Sequence, residues 1–235
     1  MNDIYQRIQI AGEKEDCKQI LAILAQIRDK RLVNDLKLVN YFREIPVSYV
    51  AEIQTVEQDS VEFLVHQIQA VVIKQEKITV LKSRHFPRDV IAIANYVNVE
   101  KSRIVLSGFS YALVRADRRM SVRVELSAPI VASFNWAEGS VSGKLHDMSL
   151  TGISIAVPEN PGIPLTEQGE LSVTLPTGTL TIPASLLKTK PLLSGCRLIF
   201  EIELSRATEL SISQYIFKRQ VEIIKELREH PGLNQ

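Results

Sequence analysis

The sequence predicts a mainly β protein: two small β-barrels, with helices at the N-terminus and one helix at the C-terminus. Three observations lead there. Val-rich runs of strand length recur from Ile45 to about Leu204. No helical segments alternate with them, which excludes a doubly wound α/β sheet. A charge-dense link from Arg115 to Arg123 divides the runs into two series. At 235 residues the chain exceeds the usual single domain, roughly 100 to 200 residues. A division into residues 1–112 and 113–235 follows.

The first element is a helix, because Ile20, Ile23, Leu24 and Ile27 recur at i, i+3, i+4 and i+7 while Lys18, Gln26 and Asp29 fall elsewhere. A short second helix is expected from Asp35 to Phe42. Then come PVSYVAEIQTV, SVEFLVH, AVVIKQ, KITVLKS, DVIAIANYVNV and RIVLSGFSY, read as strands of the first barrel. Their alternation is imperfect, as expected where a closing sheet curves and bulges. After the link follow VRVEL, IVASFNW, SVSGKLHDM, GISIAV, ELSVTL, TLTIPASLL and CRLIFEIEL. Pro176-Thr177-Gly178 suits a tight hairpin turn between the fifth and sixth. A helix from about Arg206 to Glu229 closes the chain, with Ile212, Ile216, Ile223 and Leu227 as its apolar stripe and Pro231-Gly232 ending it. That stripe suits packing on its own barrel or pairing with a second chain, so an oligomer stays open.

Composition narrows the function. The 28 basic and 27 acidic side chains nearly cancel, which argues against the broad cationic field of a nucleic-acid or anionic-membrane binder. Any anion site must be local. Cys17 and Cys196 stand far apart without metal-ligand or disulfide-framework spacing. His66, His85, His146 and His230 are scattered, with no HExxH pattern, and GxSxG, P-loop and GxGxxG motifs are absent. No enzyme activity, metal or cofactor is expected. The N-terminus lacks an apolar signal core, and no stretch approaches the roughly 18 uninterrupted apolar residues of a membrane span, so the expected location is cytoplasmic. Trp136, in SFNWAEG, is expected to be partly buried.

Two segments can carry chemistry. Arg115 to Arg123 holds four arginines and one aspartate ahead of a strand in which Val122, Val124 and Leu126 alternate with Arg123 and Glu125. Alternation points Arg123 out of the barrel. Guanidinium forks match phosphate oxygens and the O6/N7 edge of guanine bidentately. The plain alternative is a solvated linker. DMSLTG places Asp147, Ser149 and Gly152 between two strands, short polar side chains beside a residue that permits close backbone approach. Here the plain alternative is an Asx-type turn.

RRMSVR followed about two dozen residues later by DMSLTG resembles the RxxxR and (D/N)xSxxG signature of the PilZ domain. The match runs roughly from Arg115 to Leu204, and YIFKRQVEIIKELRE is similar to the closing helix of YcgR-like flagellar-brake proteins, in which a split β-barrel precedes the PilZ domain. The resemblance implies a six-stranded barrel without an active site that receives cyclic di-GMP. Carried over by position, Arg119 and Arg123 hold phosphate and guanine, Asp147 and Ser149 hydrogen-bond the base edge, and Gly152 makes room. Arg118 resembles the arginine that stacks on a second, intercalated dinucleotide, so a pair of ligand molecules is expected. The implied function is an effector that changes its interdomain arrangement on binding and regulates motility through a protein partner such as the flagellar motor. Two alternatives remain: a PilZ regulator of exopolysaccharide, pilus or biofilm output, and a nucleotide-independent adaptor. The intact RxxxR and DxSxxG elements count against the adaptor.

Overall fold

A computed structural model of the chain describes residues 5–114, 122–126 and 129–233. Within them lie fifteen strands and three α-helices. The described residues fall into two compact units, one drawn from Met1–Phe42, Pro46–Arg119 and Lys225–Gln235, the other from Arg43–Ile45 and Met120–Ile224.

The first unit is an open, curled half-barrel sheet. After β1 (Tyr5–Arg7) comes α1 (Glu13–Arg28), whose Ile20, Leu24 and Ile27 are buried as their spacing requires. Its buried Asp16 accepts the Ile10 and Ala11 backbone N–H groups, both at 2.9 Å, and so ties down the chain entering the helix. The strands β2 (Lys37–Phe42), β3 (Ile45–Val50), β4 (Glu52–Val56), β5 (Ser60–Leu64), β6 (Ile78–Lys82), β7 (Asp89–Asn98) and β8 (Arg103–Val114) pair in the order β3-β2-β6-β7-β8-β5-β4, with β1 also on β8. Leu38, Phe63, Leu81, Val90 and Leu106 form its core with Ile20 and Leu24. Leu227 joins that core.

Two elements depart from expectation. The segment expected as a short helix from Asp35 to Phe42 is β2, in which Leu38, Val39, Asn40 and Tyr41 are all buried. Burial on both faces removes the alternation that marks a half-exposed strand. The buried Asn40 is met by Gln69 Nε2 and Thr79 Oγ1, both donating to its Oδ1 at 2.7 Å, while its own Nδ2 donates to the Ile78 carbonyl at 2.7 Å. Conversely AVVIKQ, expected as a strand, lies in α2 (Gln67–Glu76). Five consecutive buried residues, Gln69 to Ile73, hide the helical period. The ends of α2 are nonetheless marked: His66 accepts the Ile68 N–H and stacks on Tyr49 with ring centroids 4.0 Å apart, and Lys77 at φ 62° stops the helix.

The second unit is a closed ring. The strands β9 (Val124–Glu125), β10 (Val131–Trp136), β11 (Gly139–Met148), β12 (Gly152–Val157), β13 (Gln168–Leu175), β14 (Gly178–Pro191) and β15 (Cys196–Ile202) run β10-β13-β14-β15-β12-β11-β9. Pairing of β10 with β11 closes six of them, leaving β9 outside the ring. Phe134, Leu171, Val173, Ile182, Leu198 and Phe200 fill the interior, with the Phe134 and Phe200 rings 4.5 Å apart. The β13–β14 hairpin turns as expected, Leu175 facing Gly178, whose φ of 131° needs glycine. Trp136 is half-buried on β10. Helix α3 (Arg206–Arg228) follows, with Ile212, Ile216 and Ile223 buried.

Candidate ligand-binding site

The site is assembled by β9. Although VRVEL reads as a full strand, only Val124 and Glu125 pair, and they pair with the last residues of β11: Val124 with Met148, Glu125 with Asp147. Arg123 immediately precedes Val124 and Ser149 immediately follows Met148, so the antiparallel register brings Arg123 to the mouth of the DMSLTG loop. Arg123 is half-exposed there. Arg118 and Arg119, along with the rest of residues 115–121, lie outside the described residues.

Asp147, at the end of β11, is only 2% exposed. It pairs across the sheet with Ser154 and forms an ion pair with Arg197 through Oδ2, which also lies 3.3 Å from His146 Nδ1. His146 itself has its pKa lowered, first by burial and then by the Arg197 charge. Ser149 is fully buried. Its Oγ donates to the Gly152 carbonyl and accepts the Gly152 N–H, both at 3.1 Å, and lies 3.4 Å from the Thr151 N–H. The Ser149 hydroxyl therefore shapes the loop from within. Gly152 is required by packing: a Cβ there would stand 2.8 Å from the Phe200 carbonyl oxygen on the neighbouring strand.

Residues 117–218 match the family described as the PilZ domain. The chain carries a PilZ domain. An uncharacterized protein of Aquifex aeolicus (strain VF5) is 30% identical over 129 residues, 54% of this chain and 62% of that relative, so the chain spans under two thirds of the relative's length. Among solved structures the chain is similar to YcgR of Escherichia coli in complex with c-di-GMP, with 14% identity, a TM-score of 0.45 and coverage of 89% of this chain and 93% of that one. It is also similar to the MrkH–c-di-GMP complex of K. pneumonia, with 13% identity, a TM-score of 0.46 and coverage of 89% and 96%. For the Bacillus subtilis inhibitor of motility MotI/DgrA the identity is 14%, the TM-score 0.42 and the coverage 80% and 95%.

In this PilZ domain Arg123, Asp147, Ser149 and Gly152 are thus gathered at one end of β9, β11 and β12. Two further residues of the candidate site lie outside the RRMSVR and DMSLTG motifs. Arg219, on α3 and 2% exposed, donates from Nε to the Glu125 carbonyl at 2.9 Å and so fastens β9. A charge inside the stripe of Ile212, Ile216, Ile223 and Leu227 was its visible signal. Arg197 gave none, because an arginine alternating with Cys196, Leu198 and Phe200 reads as an ordinary outward position. The histidines are otherwise engaged: His85 Nε2 lies 3.0 Å from the Val33 carbonyl, and His230 Nε2 lies 2.8 Å from Gln75. Among the described residues no group of three or more His, Cys, Asp or Glu could hold a metal ion, and no helix is long and apolar enough to cross a membrane.

Proposed function

We propose that this chain is a cytoplasmic cyclic di-GMP effector that binds its ligand without catalysing a reaction. The observation that carries it is the β9–β11 register, which delivers the last arginine of the RxxxR element to the mouth of the DxSxxG loop. The ligand needs guanidinium forks for phosphate and for the guanine O6/N7 edge, and acceptors for the guanine N–H groups. In this proposal Arg119 and Arg123 supply the forks and Asp147 the acceptor. Ser149 and Gly152 hold the loop in shape, and Arg118 stacks on a second dinucleotide. Binding neutralises the arginine charges, changes the arrangement of the two units, and regulates motility through a protein partner such as the flagellar motor. A ligand shifts such an equilibrium only by its different affinity for the two states.

Calorimetric titration of cyclic di-GMP into the full chain, beside Arg123→Ala and Asp147→Ala, tests this. Expected are two ligands per chain for the unsubstituted protein and loss of binding in both variants. No binding by the unsubstituted protein refutes the proposal. A pull-down of motor components with and without nucleotide tests the output, and nucleotide-independent capture refutes the switch.

A further inference from the structure

Asp147, the acceptor on which this reading relies, is held by a residue to which the reading gives no part. Arg197 stands on β15, two strands from β11. Its Nε donates to Ser154 Oγ at 2.9 Å, and its Nη2 forms the ion pair with Asp147 Oδ2. The register explains the reach. Asp147 faces Ser154 across β11–β12, and Ala156 faces Arg197 across β12–β15. Ser154 and Ala156 share one face of β12 because side chains alternate. Met148, Ile153, Leu198 and Phe200 take the other face, into the ring. Asp147, Ser154 and Arg197 therefore lie along one diagonal of the outer barrel wall.

A buried ion pair adds little stability over apolar residues of the same volume, and ring closure and core both lie on the opposite face. What such a pair supplies is orientation. A guanidinium is a planar fork, and with one arm on Ser154 and another on Asp147 it sets the direction of the carboxylate before any ligand arrives. Pre-set acceptors bind more tightly because little ordering is left for the moment of binding. Asp147 is 2% exposed and Ser154 fully buried, so neither has room to find the orientation unaided.

We propose that Arg197 is the positioning residue of the guanine-reading loop, holding the Asp147 carboxylate where it meets the N1–H and N2–H donors of the base. This rests on the cyclic di-GMP reading. The test uses the full chain and its Arg197→Met, Arg197→Lys, Asp147→Asn and Arg197→Met/Asp147→Asn variants. Each is titrated with cyclic di-GMP and with cyclic di-inosine monophosphate, whose base lacks the N2 amine, and each is melted to establish folding. Arg197→Met is expected to weaken cyclic di-GMP binding about 10- to 100-fold, the range for a lost charge-assisted hydrogen bond. Arg197→Lys should fall between, since an ammonium reaches Asp147 but cannot span to Ser154. The preference for guanine over hypoxanthine should shrink in step, and in the Asp147→Asn background the same substitution should cost less than about threefold, because the two positions act as one unit.

Unchanged affinity in Arg197→Met, equal loss in both backgrounds, or loss with the base preference intact overturns the positioning role alone. If Arg197→Met does not fold, Arg197→Lys decides: weaker binding with reduced base preference supports the role, and unchanged binding overturns it. Absence of cyclic di-GMP binding by the unsubstituted chain overturns the receptor reading and this role with it.

Discussion

Arg219 offers the sharpest test of how the PilZ barrel keeps β9 in place. Its side chain is 2% exposed and its Nε donates to the Glu125 carbonyl at 2.9 Å. Arg219→Ala removes two buried methylenes, about 0.8 kcal/mol each, or roughly 1.6 kcal/mol together. It also removes a hydrogen bond from a charged donor, worth about 1.5–3 kcal/mol. The Nη1–Glu222 pair, with Glu222 42% exposed, adds little. The expected loss is about 3–5 kcal/mol. Arg219→Met keeps most of the apolar stem and loses only the polar share, partly offset because no guanidinium then needs burying, so it should cost about 1–2 kcal/mol. Urea unfolding of both variants gives the two values. Hydrogen exchange at Val124 and Glu125 should quicken in each, while the amides of β12 and β13 keep their protection. If Arg219→Met is as stable as the unsubstituted chain and exchange at β9 is unchanged, the helix does not fasten the strand and the reasoning fails.

Two further outcomes follow from the geometry around the loop. Gly152→Ala puts a Cβ 2.8 Å from the Phe200 carbonyl, a backbone atom with little freedom to yield; a stability loss of about 1–3 kcal/mol is expected by thermal melting, with weaker cyclic di-GMP binding, and a neutral result would show that β12 and β15 can part freely. His146 has its pKa lowered by burial and then by Arg197, so between its folded value and its ordinary value the unfolded chain holds a proton that the folded chain does not. Stability should therefore fall as pH drops through the ordinary histidine range, and melting between pH 5 and pH 8 should show a flatter profile for His146→Gln; an identical profile would remove His146 from the account.

Much of this architecture is legible in the residues themselves, and the exceptions share a cause. The second barrel declares itself because Phe134, Leu171, Val173, Leu198 and Phe200 alternate with outward positions. In the first unit Leu38 to Tyr41 and Gln69 to Ile73 are buried all round, one run in a strand and the other in a helix. Periodicity cannot separate such runs; only their ends can, as His66 and Lys77 do for α2. At the site, the loop was visible because DMSLTG follows RRMSVR at about two dozen residues; alone it reads as an Asx-type turn. The Arg197 contact was not, because it depends on which strands become neighbours: β12 adjoins β15 after a separation of some forty residues that no local pattern encodes.

The difference between the open sheet and the closed ring bears on how copies of the chain behave in a crowded solution. A closed ring offers no row of unsatisfied backbone groups, and among the described residues of the second unit only the two strand residues of β9 pair outside it, fastened by Arg219. The first unit ends its sheet at β3 and β4, both able in principle to template another strand. Each is blunted. Pro46 brings a nitrogen without hydrogen into β3, and β4 carries Glu52 and a register shift between Ile53 and Thr55. Runaway strand-to-strand assembly would therefore have to start at the edges of the first unit, where Pro46, Glu52 and the register shift in β4 stand against it.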